Sequence, residues 1–370
     1  MPKETPPRWR KRTARFVEIA ELAGVSATTV DRVLNERGSV SAQARERVIA
    51  AARQLAVPRL LPDTQHGLVH IDVMVPGSDS PFFRRLREAL QRSVQMLDRR
   101  VVVHRTMLDA ADEARLPASI DASDTHNRRH RRAALIVTAQ DTPEVRAALA
   151  AAIARGEAVV TMVTDIGGID RLHYAGIDNL RAGHTAGYFL GRLAKPGRVL
   201  LLPARLDYRA HADRIEGCRA HIARHFDHLV CEDACIESLD QDERCYRAVT
   251  QAVSAASKGT KGINGTRGGK LTGIYNTGYG SAGIEAALRK AGLAGDVVWI
   301  GHEMFDAHRQ YIDAGIMDIA IDQDPDGQVI SALQHALHAC GIVERASADE
   351  PVEFRVFCSA NVRHSAYLRP

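Results

Sequence analysis

Short apolar runs recur along most of the chain, and between them apolar residues return every three or four positions. "LVHIDVMVP", from Leu68 to Pro76, is continuous enough to be a strand buried on both faces. An amphipathic stretch at helical period, Phe82 to Leu97, follows it. Then come "VVVHRT", "AALIVTA", "AVVTMVT", "HYAGID", "RVLLLP", "HLVCEDACI", "LTGIYNT", "VVWIGHE", "DIAIDQD" and "VEFRVF", set apart by helix-like stretches. Strands alternating with helices predict βαβ units, and so parallel sheets with helices on both faces. The strands are too many for one compact sheet, and two similar α/β lobes are expected. Val253 to Lys270, rich in Gly, Ser and Lys, reads as a surface loop.

The first sixty residues have another texture. Val17, Ile19, Ala20, Leu22 and Ala23 make one face of a short helix, which Gly24 ends. Ser26 is placed to cap a second helix, Ala27 to Leu34, and Ser41 a third. In the third, Ala44, Val48, Ala51, Ala52 and Leu55 form a stripe to bury against the first two. Helix, glycine turn and capped helix is the helix-turn-helix pattern, whose second helix enters the DNA major groove. A proline-punctuated connector, Val57 to Pro62, joins this head to the body.

Charge strengthens the picture. The net charge of the 370 residues is only +4, but Arg8, Arg10, Lys11, Arg12 and the arginines at 15, 32, 37, 45, 47, 53 and 59 concentrate it at the head. That is the footprint of a phosphate-backbone binder. No apolar run approaches the ~20 residues of a membrane span, and no signal-type stretch follows the opening charges, so a cytoplasmic protein without a membrane partner is expected. The six cysteines are scattered singly with no CxxC, as reduced thiols are. GxSxG, HExxH and GxxxxGK[ST] are all missing, which argues against an enzyme and against a cofactor. His221, His225 and His228 share a helical stretch, but no carboxylate or cysteine phrase accompanies them and no metal is expected. His126 to Arg132 reads as a solvated charge run.

"EIAELAGVSATTVDRVLNERGSVSAQARERV" resembles the DNA-binding head of the LacI/GalR family of bacterial transcription regulators. The resemblance places Ala27, Thr28 and Arg32 toward base edges, and Ser26, Thr29 and Asn35 against phosphates or the turn. Asp31 departs from the usual serine, either to orient Arg32 or a neighbouring arginine or as a solvated surface residue. The connector departs too: the family's hinge helix and leucine wedge are reduced to Leu60 and Leu61 between prolines.

The body resembles the type I periplasmic sugar-binding fold, nearest the ribose-like proteins. "PFFRRLREAL", "VVTMVTDIGGIDRLHYAGIDNLRAGHTAGYFL", "RIEGCR", "GIYNTG", "IGHE" and "IDQDP" carry the likeness by their order and spacing. It implies a ligand site of Ser80, Phe82, Phe83, Thr164, Asp165, Arg214, Asn276, Glu303 and Gln323 at strand ends. Rings, carboxylates, amides and a guanidinium suit a sugar or polyol. Glu303 stands where aspartate is commoner, and Thr164 near a usual acidic or arginine position. The resemblance further implies lobe crossings near 172, 302 and 322, and a homodimer on a pseudo-palindromic operator. The expected domains are a head at 1–58, a linker at 59–67, a first lobe of 68–172 with 323–345, and a second of 173–322 with 346–370.

Overall fold

A computed structural model describes residues 16–37, 39–55, 57, 68–109, 113–121, 132–232, 235–257 and 269–363. The basic opening, the linker with Leu60 and Leu61, and most of the charge run 126–132 lie outside them.

The head is three helices, α1 (Phe16–Ala23), α2 (Ala27–Leu34) and α3 (Ala42–Gln54). Gly24 turns the chain with a left-handed backbone, φ 62°. Ser26 Oγ accepts the Thr29 N–H at 3.1 Å, and Ser41 Oγ accepts the Ala44 N–H at 3.3 Å, so both predicted caps form. Ile19, Val30, Val33, Leu34, Val48 and Ile49 close a small core of their own. Glu36, at the end of α2, accepts the Leu68 N–H at 2.7 Å, which rests the head against the first lobe.

In the first lobe, β1 (Val69–Pro76) is buried throughout and pairs on either side with β2 (Val101–Leu108) and β3 (Arg132–Val137). β4 (Ala158–Met162) and β5 (His173–Ala175) complete a parallel sheet of order β2-β1-β3-β4-β5. α4 (Pro81–Gln95) covers one face, with Phe82, Leu86, Ala89 and Leu90 in the core; α5 (Leu116–Asp121) and α6 (Pro143–Ala154) supply Leu116, Ile120, Val145 and Leu149 to the core on the other. The last residue of the charge run, Arg132, is no surface group: it is buried with Asp72 at 3.3 Å and Glu157 at 2.6 Å.

The second lobe contains α7 (Asn179–Leu193), β6 (Gly197–Leu202), α8 (Arg209–His225), β7 (Leu229–Cys231) and α9 (Asp242–Ser257). It continues with β8 (Leu271–Asn276), α10 (Ser281–Lys290), β9 (Val298–His302), α11 (Asp306–Asp313) and β10 (Ile319–Asp322). α12 (Pro325–Ala339) returns to the first lobe, and β11 (Arg355–Phe357) closes the second sheet, of order β11-β10-β9-β8-β6-β7.

Several expectations are corrected. β5 pairs with β4, so the first crossing falls after Ala175 rather than near 172. No crossing occurs near 302, because β9 and β10 are neighbours in one sheet; the third lies between α12 and β11. β11 is antiparallel to β10, since it enters from a crossing and not from a helix. The loop expected from Val253 begins later, because α9 runs to Ser257.

Candidate functional sites

On the head, Ser26, Ala27, Thr28 and Arg32 are exposed and Thr29 is half-buried. Thr28 and Arg32 are four residues apart and share a face of α2. Asn35 is the C-cap of α2 and gives its amide to Asp31 Oδ1 at 2.6 Å. Asp31 also takes a neighbouring arginine, Arg37, at 3.5 Å. Its carboxylate is therefore held along the helix and neutralised, which leaves Arg32 to project.

The two sheets face one another at the carboxyl ends of their strands, where β1 is flanked by β2 and β3, and β6 by β7 and β8. A cavity of about 330 Å³ lies between them. Of the expected residues, Ser80, Phe82, Phe83, Thr164, Arg214, Glu303 and Gln323 line it. Ser80 caps α4, and Phe82 and Phe83 meet edge to face at 5.2 Å between ring centres.

Arg214 is buried. Its Nε donates to Asn179 Oδ1 at 2.8 Å, its Nη1 to the Thr277 carbonyl at 2.9 Å, and its Nη2 to Gln323 Oε1. Gln323 donates in turn to Glu303 Oε1, and Arg85 approaches Glu303 Oε2 at 3.4 Å. Burial, then the neighbouring Asp322, push the Glu303 carboxyl up to about 8. His211 bonds Thr277 Oγ1 at 2.8 Å, and burial with the Arg214 charge pulls its pKa down to about 3.

Asp165 and Asn276 do not join this group. Asp165 Oδ1 accepts from Thr161 Oγ1 and the Ile166 N–H, and Oδ2 from Arg171 at 2.5 Å, so its carboxylate braces the turn after β4. The Asn276 amide is consumed by Trp299 Nε1 at 2.6 Å and the Gly278 carbonyl at 2.8 Å. In their place the cavity gathers residues the sequence did not single out: Glu113, Arg205, Tyr208, His211, Asp240, Tyr279 and Phe305. His211 lies three residues ahead of Arg214, Tyr279 directly after "GIYNTG" and Phe305 two residues after "IGHE", so these adjoin quoted phrases; Arg205 and Asp240 sit on loops and Glu113 on a single 3-10 turn, with no periodic signal.

Contacts across the mouth hold the lobes together. The Ala210 N–H donates to Thr164 Oγ1 at 3.1 Å, the Tyr208 hydroxyl to Glu113 at 3.2 Å, and the Asp141 N–H to the Asp207 carbonyl at 3.0 Å. His221 and His225 lie one turn apart on α8, with ring centres at 4.7 Å, away from the cleft. Among the described residues no helix is long and apolar enough to cross a membrane.

A two-lobed α/β body with a cleft between the lobes, carrying a helix-turn-helix head, defines the class. The chain belongs to the periplasmic binding protein domain family, whose model matches residues 71–341, and residues 16–56 match the bacterial regulatory proteins of the lacI family. The NTD biosynthesis operon regulator NtdR of Bacillus subtilis (strain 168) is 34% identical over 102 residues, 27% of this chain and 31% of that protein. The sucrose operon repressor of Pediococcus pentosaceus is 39% identical over 80 residues, 20% of this chain and 24% of that one. The matched stretches thus span less than a third of either relative. The fold is also that of a solute binding protein from Burkholderia graminis C4D1M in complex with D-arabinose, at TM-score 0.68 and 17% identity over 80% of this chain and 98% of that one. A solute binding protein from Bacillus halodurans C-125 with bound myo-inositol matches at TM-score 0.65 and 17% identity, over 80% and 96% of the two chains.

Proposed function

We propose that the protein is a ligand-responsive, DNA-binding transcription regulator, acting as a repressor in the cytoplasm, whose cleft binds a sugar or sugar-like molecule. The observation that carries this is the joining of an exposed reading face on α2 to a body whose two lobes flank a cavity lined by aromatic rings and by hydrogen-bonding side chains. Ala27 and Thr28 offer methyl surface to thymine, and Arg32 two donors to guanine. Two heads of a homodimer read a pseudo-palindromic operator. Relatives named for a sucrose and a ribose operon, and neighbours of the same fold holding D-arabinose and myo-inositol, support a polyhydroxylated effector. Closing the lobes around it shifts the heads, with a coupling of about 1–3 kcal/mol.

The test is operator selection from random duplexes with the full-length protein, then titration of that operator in the presence of pentoses, hexoses and polyols. One of them is expected to change operator affinity by about 5- to 150-fold. Arg32→Ala is expected to weaken operator binding far more than binding to unrelated DNA. Operator affinity indifferent to every sugar would sink the reading.

A further inference from the structure

Away from the cleft, β5 and α12 hold two histidine rings face to face. His173, at the start of β5, and His335, on α12, stack with ring centres 3.5 Å apart and planes 6° from parallel. Both are buried. Asp349, on the third crossing, has a side chain 95% exposed, yet its Oδ1 lies 3.2 Å from His335 Nε2. No spacing in the sequence joins these three residues. Folding brings their ligand atoms within 4.8 Å of one another.

The hydrogen positions decide what the group can take. His335 Nδ1 stands 2.9 Å from the Ser331 carbonyl, which only accepts, so Nδ1 carries the hydrogen. In the neutral ring Nε2 is then a lone pair. It faces a carboxylate oxygen, and two acceptors at that distance need a positive charge between them. A proton serves that pair alone. A divalent metal ion serves the pair and takes His173 as a third ligand. His173 Nε2 has the Ser331 hydroxyl at 3.0 Å, a rotor that can turn away and leave a lone pair. A ring whose Nδ1–H is held by a backbone carbonyl is also the form in which histidine meets a metal. An ion about 2.0–2.1 Å from each ligand sets tetrahedral ligand atoms roughly 3.4 Å apart. The cluster therefore draws in as the rings turn out of their stack, and the exposed Asp349 side chain has room to follow.

The place in the fold gives the group its consequence. The Val352 N–H donates to the Gly176 carbonyl at 2.9 Å, and Ile177 and Val352 form a parallel bridge. The first and third crossings thus run side by side just beyond His173 and Asp349. An ion held there ties the third crossing to β5 and α12, at the root of the strands that bend when the lobes close.

We infer that His173, His335 and Asp349 bind a divalent metal ion of the zinc class, with water completing its coordination, and that the ion clasps the hinge. Two imidazoles and a carboxylate are ligands of that class. The test uses the full-length protein carrying His221→Ala and His225→Ala, which removes the pair on α8 that could hold zinc by itself. It is titrated with Zn²⁺ by calorimetry and with Co²⁺ by visible absorption. One ion per chain is expected, with a rise in melting temperature. Asp349→Asn and His335→Gln in that background are each expected to weaken binding by at least about 10-fold, since even an outer partner of a metal ligand costs 10- to 100-fold. Asp349→Asn alters an exposed side chain and reports even if His335→Gln fails to fold. No binding in that background, or equal affinity in Asp349→Asn, would overturn the inference. So would a stability without zinc response that follows a histidine titration abolished by Asp349→Asn, because a proton would then fill the contact. These readouts need neither effector nor operator, so the regulator reading stands or falls apart from them.

Discussion

Glu303 follows β9 with a left-handed backbone, φ 71°, a conformation a glutamate holds only when its surroundings impose it. Those surroundings are the Gln323 amide, Arg85 and the neighbouring Asp322. With its carboxyl pushed to about 8, the folded protein keeps a proton that the unfolded chain loses near the ordinary value of about 4.5. Unfolding then releases a proton across that window, so stability falls as pH rises from about 5 to about 8 and levels off above it. The ligand-free melting temperature is expected to decline over that range. Glu303→Gln is expected to flatten this part of the profile and to melt higher than the parent at pH 8.5. An unchanged slope in the variant would assign the proton to another group. Asn276 carries the opposite lesson: its position at a strand end was readable, but the indole of Trp299 decides what its amide does.

At the scale of elements, α7 and α8 meet through glycines. A Cβ at Gly183 would stand 2.1 Å from the Arg214 carbonyl oxygen, and one at Gly187 2.8 Å from that of Cys218. Alanine normally favours a helix over glycine by about 1 kcal/mol. Backbone has nowhere to go at 2.1 Å, so overpacking of about 1–3 kcal/mol outweighs that gain. Gly183→Ala is expected to lower the melting temperature by several degrees and, by displacing α8 and with it Arg214, to weaken effector binding. Gly187→Ala should cost less. A Gly183→Ala protein as stable as its parent would mean that the two helices can separate freely.

For the whole molecule, the head and the two lobes keep separate cores. Ile19, Val33 and Ile49 belong to one; Ile71, Val73 and Ile136 to another; Leu201, Tyr275 and Ile300 to a third. Deleting residues 1–58 removes only the first, together with the Glu36 tie to Leu68. The truncated body is expected to stay folded, to melt within a few degrees of the full chain's main transition and to retain effector binding, as calorimetry would show. A truncated body that failed to fold would mean the head's packing on the first lobe is structural. Closure belongs to this scale as well. Thr164, Tyr208 and Glu113, from distant stretches of sequence, hold the lobes together across the mouth.

The sequence by itself determined the elements, because caps, turns and periodicity act over a few residues. Ser26, Gly24 and Ser41 stand where the head required them, and each apolar run became a strand. The resemblance to the sugar-binding fold also pointed to seven of the residues that line the cavity, which lies at the carboxyl ends of the strands. Only the tertiary structure assigned β5 to the first sheet, reversed β11 and moved the third crossing, because strand pairing is settled by contacts between segments far apart in sequence. It alone set Arg205 among Glu113, Asp207 and Asp240, and turned Asp165 away to Arg171. The charge of a binding site is a sum over loops that meet only after folding.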